Sequence, residues 1–130
     1  MNKWKVFLFF AVLLPLSATK ALACSCGGPA LPCQDYWKAS AVFVGTVSSS
    51  ARSSYTIDKT AFEGRLVHFA VDRVFRDVEG AEVEVTTGLG GGDCGYDFRV
   101  GGQYLVYAYR NADKKLATGI CTRTRLLSDA

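Results

Sequence analysis

The chain has 130 residues, 49% of them hydrophobic, with 15 Lys and Arg against 12 Asp and Glu and five cysteines. Three of the basic residues, Lys3, Lys5 and Lys20, belong to an apolar leader, so residues 24–130 carry twelve charges of each sign. Without a basic surplus there is nothing to neutralise a phosphate backbone, which excludes nucleic acid as the partner.

The leader comes first in chain order. Lys3 and Lys5 precede Val6–Leu16 (VFLFFAVLLPL), a run too short to span a bilayer, and Ala21-Leu22-Ala23 supplies the small residues of an A-x-A cleavage site. Residues 1–23 are therefore predicted to be a secretory signal peptide, with Cys24 the first mature residue. The expected location is secreted, periplasmic or extracellular. No later apolar run is long enough for a transmembrane helix. The remaining 107 residues suit one domain with a modest core. Five cysteines sent to an oxidising compartment predict a disulfide framework before metal ligands.

Gly27–Pro32 (GGPALP) reads as a rigid, non-regular segment, and Cys33–Ser40 as a short helix carrying Tyr36 and Trp37. Ala41–Val47 is a first strand, rich in β-branched and aromatic residues, with Gly45 as a bulge or close-approach point. Ser48–Thr60 (SSSARSSYTIDKT) is polar and turn-like, either a mobile connection or an extension of a hairpin. A long strand is predicted over Glu63–Phe75, with Val67, Phe69 and Val71 on one face. Ala81–Thr87 alternates strictly, placing Val83 and Val85 inward. Gly88–Gly92 (GLGGG) breaks the pattern; it lacks the Lys-Ser/Thr ending of a phosphate loop and reads as a flexible connection. Gln103–Tyr109 and Lys115–Thr118 complete five strands. Five strands and a small helix in about a hundred residues point to a mainly β, five-stranded Greek-key barrel of the OB type, with one or two short helices and a disulfide-stapled N-terminus. A β-sandwich would ask for about seven strands.

Residues two apart in an extended segment lie about 6.6 Å apart, at the edge of disulfide geometry. Cys24 and Cys26 are thus expected to pair with distant cysteines, for which Cys33, Cys94 and Cys121 are the candidates. The sole histidine, His68, stands mid-strand; a catalytic pair with Cys33 is weighed against a structural strand-face histidine, and the structural role is preferred. Cys-x-Cys and Cys-x6-Cys lack the second close pair that zinc would need. Tyr104, Tyr107 and Tyr109 are expected to pack the barrel and its surface, the OB architecture leaving room for a ligand face. No pair of carboxylates is placed for acid/base work. The chain reads as a binder and not an enzyme, with no cofactor.

Cys-Ser-Cys directly after the leader, a third cysteine seven residues on, then DCGYDFRVGGQYLVYA and TGICTRT, together resemble the netrin-type (NTR) domain and, within it, the inhibitory domain of the tissue inhibitors of metalloproteinases. The resemblance spans nearly all of residues 24–130 and implies an OB-type barrel. It pairs Cys24 with Cys94 and Cys26 with Cys121. The family's third bridge would use Cys33, and no cysteine follows Cys121 to take it, so Cys33 is expected to be free or to link two chains as a dimer. The implied activity is inhibition of a zinc metalloprotease: the amine and carbonyl of Cys24 chelate the partner's zinc, Ser25 enters its substrate pocket, Cys26 and Gly27 continue the contact, and Gly92, Asp93 and Cys94 flank it. Two other readings stand beside this one. One is a non-inhibitory extracellular or envelope-attached interaction module. The other, a lipid-anchored envelope protein acylated at Cys24, leaves four cysteines to pair but faces Ala21-Leu22-Ala23 in place of the usual lipobox order.

Overall fold

The structure, a computed structural model, describes residues 24–28, 30–57 and 59–130. The expected signal peptide, residues 1–23, lies outside them. The described residues form helix α1 (Pro32–Lys38) and strands β1 (Ala41–Ile57), β2 (Thr60–Arg76), β3 (Glu82–Thr87), β4 (Gln103–Arg110), β5 (Leu116–Ala117) and β6 (Arg125–Leu126). Pro32 opens α1, where its missing N–H costs nothing. Ala39, already extended, closes the helix by donating its amide to the Asp35 carbonyl.

The strands close into a ring. β1 pairs antiparallel with β2 and β4, β2 with β3, and β4 with β5, while β3 and β5 run parallel. The order β1-β2-β3-β5-β4 therefore returns to β1, the five-stranded Greek-key barrel of the OB type that the sequence calls for. Closure removes most free edges, so the barrel presents few unpaired backbone groups.

Period-two patterning decides which face is inside. Phe43 and Val47 on β1, Val67 and Phe69 on β2, Val85 on β3 and Tyr104, Val106 and Ala108 on β4 make one buried cluster, with Val71 and Val83 packed partly against it. The barrel axis is aromatic. Phe69 meets Phe43 and Phe98 edge to face, with ring centroids 5.5 and 5.2 Å apart, and Phe98 meets Tyr104 at 4.9 Å. Such edge-to-face pairs contribute about 0.5–1.5 kcal/mol each beyond their buried area. Phe98 comes from the β3–β4 connection and plugs the barrel, a role that strand patterning does not reveal. At Gly45 the register slips, and a Cβ there would stand 3.0 Å from the Ala70 carbonyl and 3.2 Å from Phe69 Cβ. Both the bulge and the close approach expected there are present.

Of the two readings open for Ser48–Thr60, the structure takes the hairpin extension: the β1–β2 ladder continues from Ser49 opposite His68 to Ile57 opposite Thr60. No described side chain along it is buried, so no apolar alternation marks it. Arg52 reaches diagonally across the ladder to the Glu63 carboxylate at 3.6 Å, and Tyr55 stacks on the opposed Phe62. β6, pairing Leu126 with Tyr104, was not expected, because two residues carry no readable period. Helix α1 ends at Lys38 and not at Ser40. Among the described residues, no helix is long and apolar enough to cross a membrane.

Candidate functional site

Two disulfides gather the site. Cys24 is bonded to Cys94 and Cys26 to Cys121, with Cα atoms 5.4 and 5.1 Å apart, closing separations of 70 and 95 residues. The segment Cys24–Gly28 has no regular secondary structure. It is held on the barrel by these bonds and by one arginine. Arg123 donates Nε to Asp35 Oδ2 at 2.6 Å and Nη2 to the Ala30 carbonyl, pinning the start of α1 and the chain before it to the C-terminal loop. Both side chains of this ion pair are about three-quarters buried. Nothing in the sequence marks Arg123, since its carboxylate partner lies 88 residues away.

The two receiving loops are themselves built tightly. In the first, a 3-10 turn over Gly91–Asp93 leads into Cys94, whose backbone is left-handed at φ 59°. Asp93 turns its carboxylate back onto this loop and accepts the amides of Leu89 (2.7 Å), Gly90 (2.9 Å) and Gly95 (2.9 Å). Burial alone would raise its pKa, but the amides of Gly95, Leu89 and Gly90 outweigh that and lower it. The GLGGG stretch is thus an anion nest closed by Asp93 rather than a slack connection. Gly95 is obligatory here, because a Cβ would fall 2.4 Å from the Gly88 carbonyl.

In the second loop, TGICTRT, three threonine hydroxyls make a closed triangle. Thr118 lies 3.0 Å from Thr122 and 2.9 Å from Thr124, and Thr122 lies 2.9 Å from Thr124. Thr118 donates to the Tyr107 carbonyl, and Thr124 accepts the Tyr107 amide. This buried network, satisfied through β4, presents Cys121 outward. Ile120 then donates its amide to the Cys94 carbonyl at 2.9 Å, so the two loops touch, and the Sγ atoms of Cys94 and Cys121 lie 3.9 Å apart.

On this platform Cys24 is half-buried, while Ser25, Cys26 and Gly27 are exposed, as are Gly92 and Asp93 beside Cys94. The structure thus brings Cys24–Gly27 together with Gly92–Cys94 and Cys121, and leaves Cys33 apart. That residue is a free, exposed thiol in the first turn of α1. His68 faces Glu84 on β3, its Nδ1 3.6 Å from the carboxylate, and is a cross-strand partner rather than a mate of Cys33. The sulfurs of Cys24, Cys26 and Cys121 approach within 4.8 Å of one another. Each is spent in a disulfide, however, whereas metals are held by thiolates. No protein-family model matches the chain, and no curated protein matches it significantly.

Proposed function

We propose that the chain is a secreted inhibitor of zinc metalloendopeptidases, acting through the amine and carbonyl of Cys24 once the leader is removed. The observation that carries this reading is the double staple. Two bridges and the Arg123 clamp hold Cys24–Gly28 in place while Ser25 and Gly27 stay exposed. An α-amine and the carbonyl of the same residue form a five-membered chelate, and a catalytic zinc keeps one position open for such a ligand. With an ordinary amine pKa of about 7.7–8, a usable fraction is unprotonated at neutral pH. The staple removes the ordering cost that a free terminus would carry on binding. In this reading the Gly92–Asp93 turn forms the second contact through its backbone, because the Asp93 carboxylate is committed to its own loop. The chain itself performs no chemistry.

The test is chain extension by one alanine before Cys24. This turns the amine into an amide with no free lone pair and leaves both bridges intact. Inhibition of a susceptible zinc endopeptidase should collapse while thermal stability barely moves, and wild-type inhibition should weaken as pH falls below the amine pKa. Equal inhibition by the extended, N-acetylated and native forms would place the contact elsewhere.

One observation favours a second reading, an extracellular interaction module that inhibits nothing. Trp37 on α1 is 71% exposed, with the Arg76 guanidinium 5.3 Å from its ring, and Phe75 lies exposed beside Arg73. Arginine stacked on open aromatic rings is typical of protein-binding anchors. The lipid-anchored form is disfavoured, because the Cys24 sulfur that would carry the lipid is bonded to Cys94.

A further inference from the structure

We propose that the cleft between the β1–β2 hairpin and the β4–β5 loop is a binding site for a neutral oligosaccharide. The cleft holds about 520 Å³, within the usual range for small-molecule sites. Tyr55 and Thr56 line it from the hairpin, Thr86 from β3, and Tyr109 and Asn111 from β4 and the loop that follows, with Asp93 at one end. In an OB barrel this is the face bounded by the first and fourth connections, where extended polymers lie.

The chemistry of the lining selects the ligand. It contains no Lys, Arg or His and has the Asp93 carboxylate, so neither a phosphate nor another anion finds a counter-charge. Its only aliphatic side chains are alanines, which gives a hydrocarbon tail little to pack on. Two tyrosines remain as platforms. Tyr55 is backed by Phe62 at 5.9 Å and a 21° interplanar angle, and Tyr109 is 47% exposed. A sugar ring offers an apolar C–H face for such rings and hydroxyls around its rim. Rim partners are present in Thr56, Thr86 and Asn111, whose carbonyl takes the Lys115 amide and leaves its NH2 available. Burial, then the Asp93 charge and the neighbouring Tyr109, raise the Tyr55 pKa, so its phenol stays a donor at neutral pH.

The larger cleft, which meets the first at Thr86, has a different character. It measures about 1010 Å³, is lined by Asp77, Glu79, Glu84, Arg110, Lys114 and Lys115, and contains no aromatic platform. The saccharide proposal uses neither the Cys24 amine nor Ser25, so it does not rest on the inhibitor reading, although Asp93 and Cys94 border both surfaces.

The experiment is amide-resonance titration of the oxidised chain with chitohexaose, cellohexaose and maltohexaose, and separately with a heparin hexasaccharide and a dT oligonucleotide. At least one neutral hexasaccharide should shift the resonances of Tyr55, Thr86 and Tyr109, with little dependence on salt. Tyr109→Ala should weaken that binding roughly tenfold, the worth of one stacking contact. Tyr109→Phe should retain most of it, and Trp37→Ala, outside the lining of the cleft, should leave it unchanged. The proposal is overturned if none of the neutral sugars shifts the cleft at millimolar concentration, if Tyr109→Ala binds as well as wild type, or if only heparin or dT binds.

Discussion

Asp93 holds a loop of glycines by giving one carboxylate to three amides, and its charge is what makes the arrangement stable. Charge-assisted acceptance by an aspartate is worth about as much as a helix cap, so Asp93→Ala should cost about 1 kcal/mol at neutral pH. The pH dependence follows from the direction of the shift. The folded carboxyl titrates below its ordinary value because the amides of Gly95, Leu89 and Gly90 outweigh its burial, so on acidification the unfolded chain takes up the proton first. The stabilisation is thus fully present above about pH 4 and is lost as pH falls through the lowered folded value. Urea midpoints of wild type and Asp93→Ala should differ at pH 7 and converge in acid. Curves that stay parallel would mean the carboxylate charge plays no part. Asp93 was read from the sequence as a flank of a binding surface. The aspartate's role inside its own loop could not be seen there, because it depends on the left-handed turn at Cys94 that folds the amides back.

At the scale of elements, legibility follows burial. Val67, Phe69, Val83 and Val85 announce their strands because one face of each strand meets the core and the other meets water. The outer half of the β1–β2 hairpin has no such asymmetry: no described side chain between Ser48 and Glu63 is buried. Its ladder is held by backbone bonds and by local pairs such as Tyr55 with Phe62. Phe98 and Arg123 were illegible for the opposite reason. Their partners, Phe69 and Asp35, are decided by the closed barrel and not by neighbours in the chain. The hairpin is therefore an appendage in energetic terms. Replacing Ser54–Glu63 by an Asn-Gly turn between the opposed residues Ser53 and Gly64 should leave the barrel folded. The change in stability should stay within about 1 kcal/mol, as for other surface changes away from the core. Dispersed amide spectra and an unchanged slope of the urea transition would verify this. The same variant should lose neutral hexasaccharide binding along with Tyr55. Global unfolding of the variant would instead make the hairpin part of the cooperative core.

At the scale of the molecule, stability is divided between the ring of strands and the two bridges. Every inter-strand ladder lies within residues 41–126, and the segment before α1 adds none. Loops of 70 and 95 residues are each worth about 4–5 kcal/mol in the chain-entropy account. The two loops share most of the same chain, so the second bridge adds less than the first, and the effects should not sum. Removing one bridge, as Cys24→Ser with Cys94→Ser or as Cys26→Ser with Cys121→Ser, should leave a folded barrel with a markedly lowered Tm. Removing both should give a chain that is only marginally folded at 25 °C, since total stabilities of small domains run to about 5–15 kcal/mol. Hydrogen exchange separates the contributions. In either single-bridge variant the amides of Val67, Phe69 and Val106 should remain the slowest to exchange, because they sit in the buried centre of the ring. Those of Ser25 and Gly27 should be fast, most of all when Cys26–Cys121 is the bridge removed, since Gly27 then hangs between Cys24 and the Arg123 clamp at Ala30. If loss of a single bridge abolished protection throughout β2 and β4, the barrel would not be self-supporting, and the staple would be a condition of the fold as well as a device for presenting Ser25.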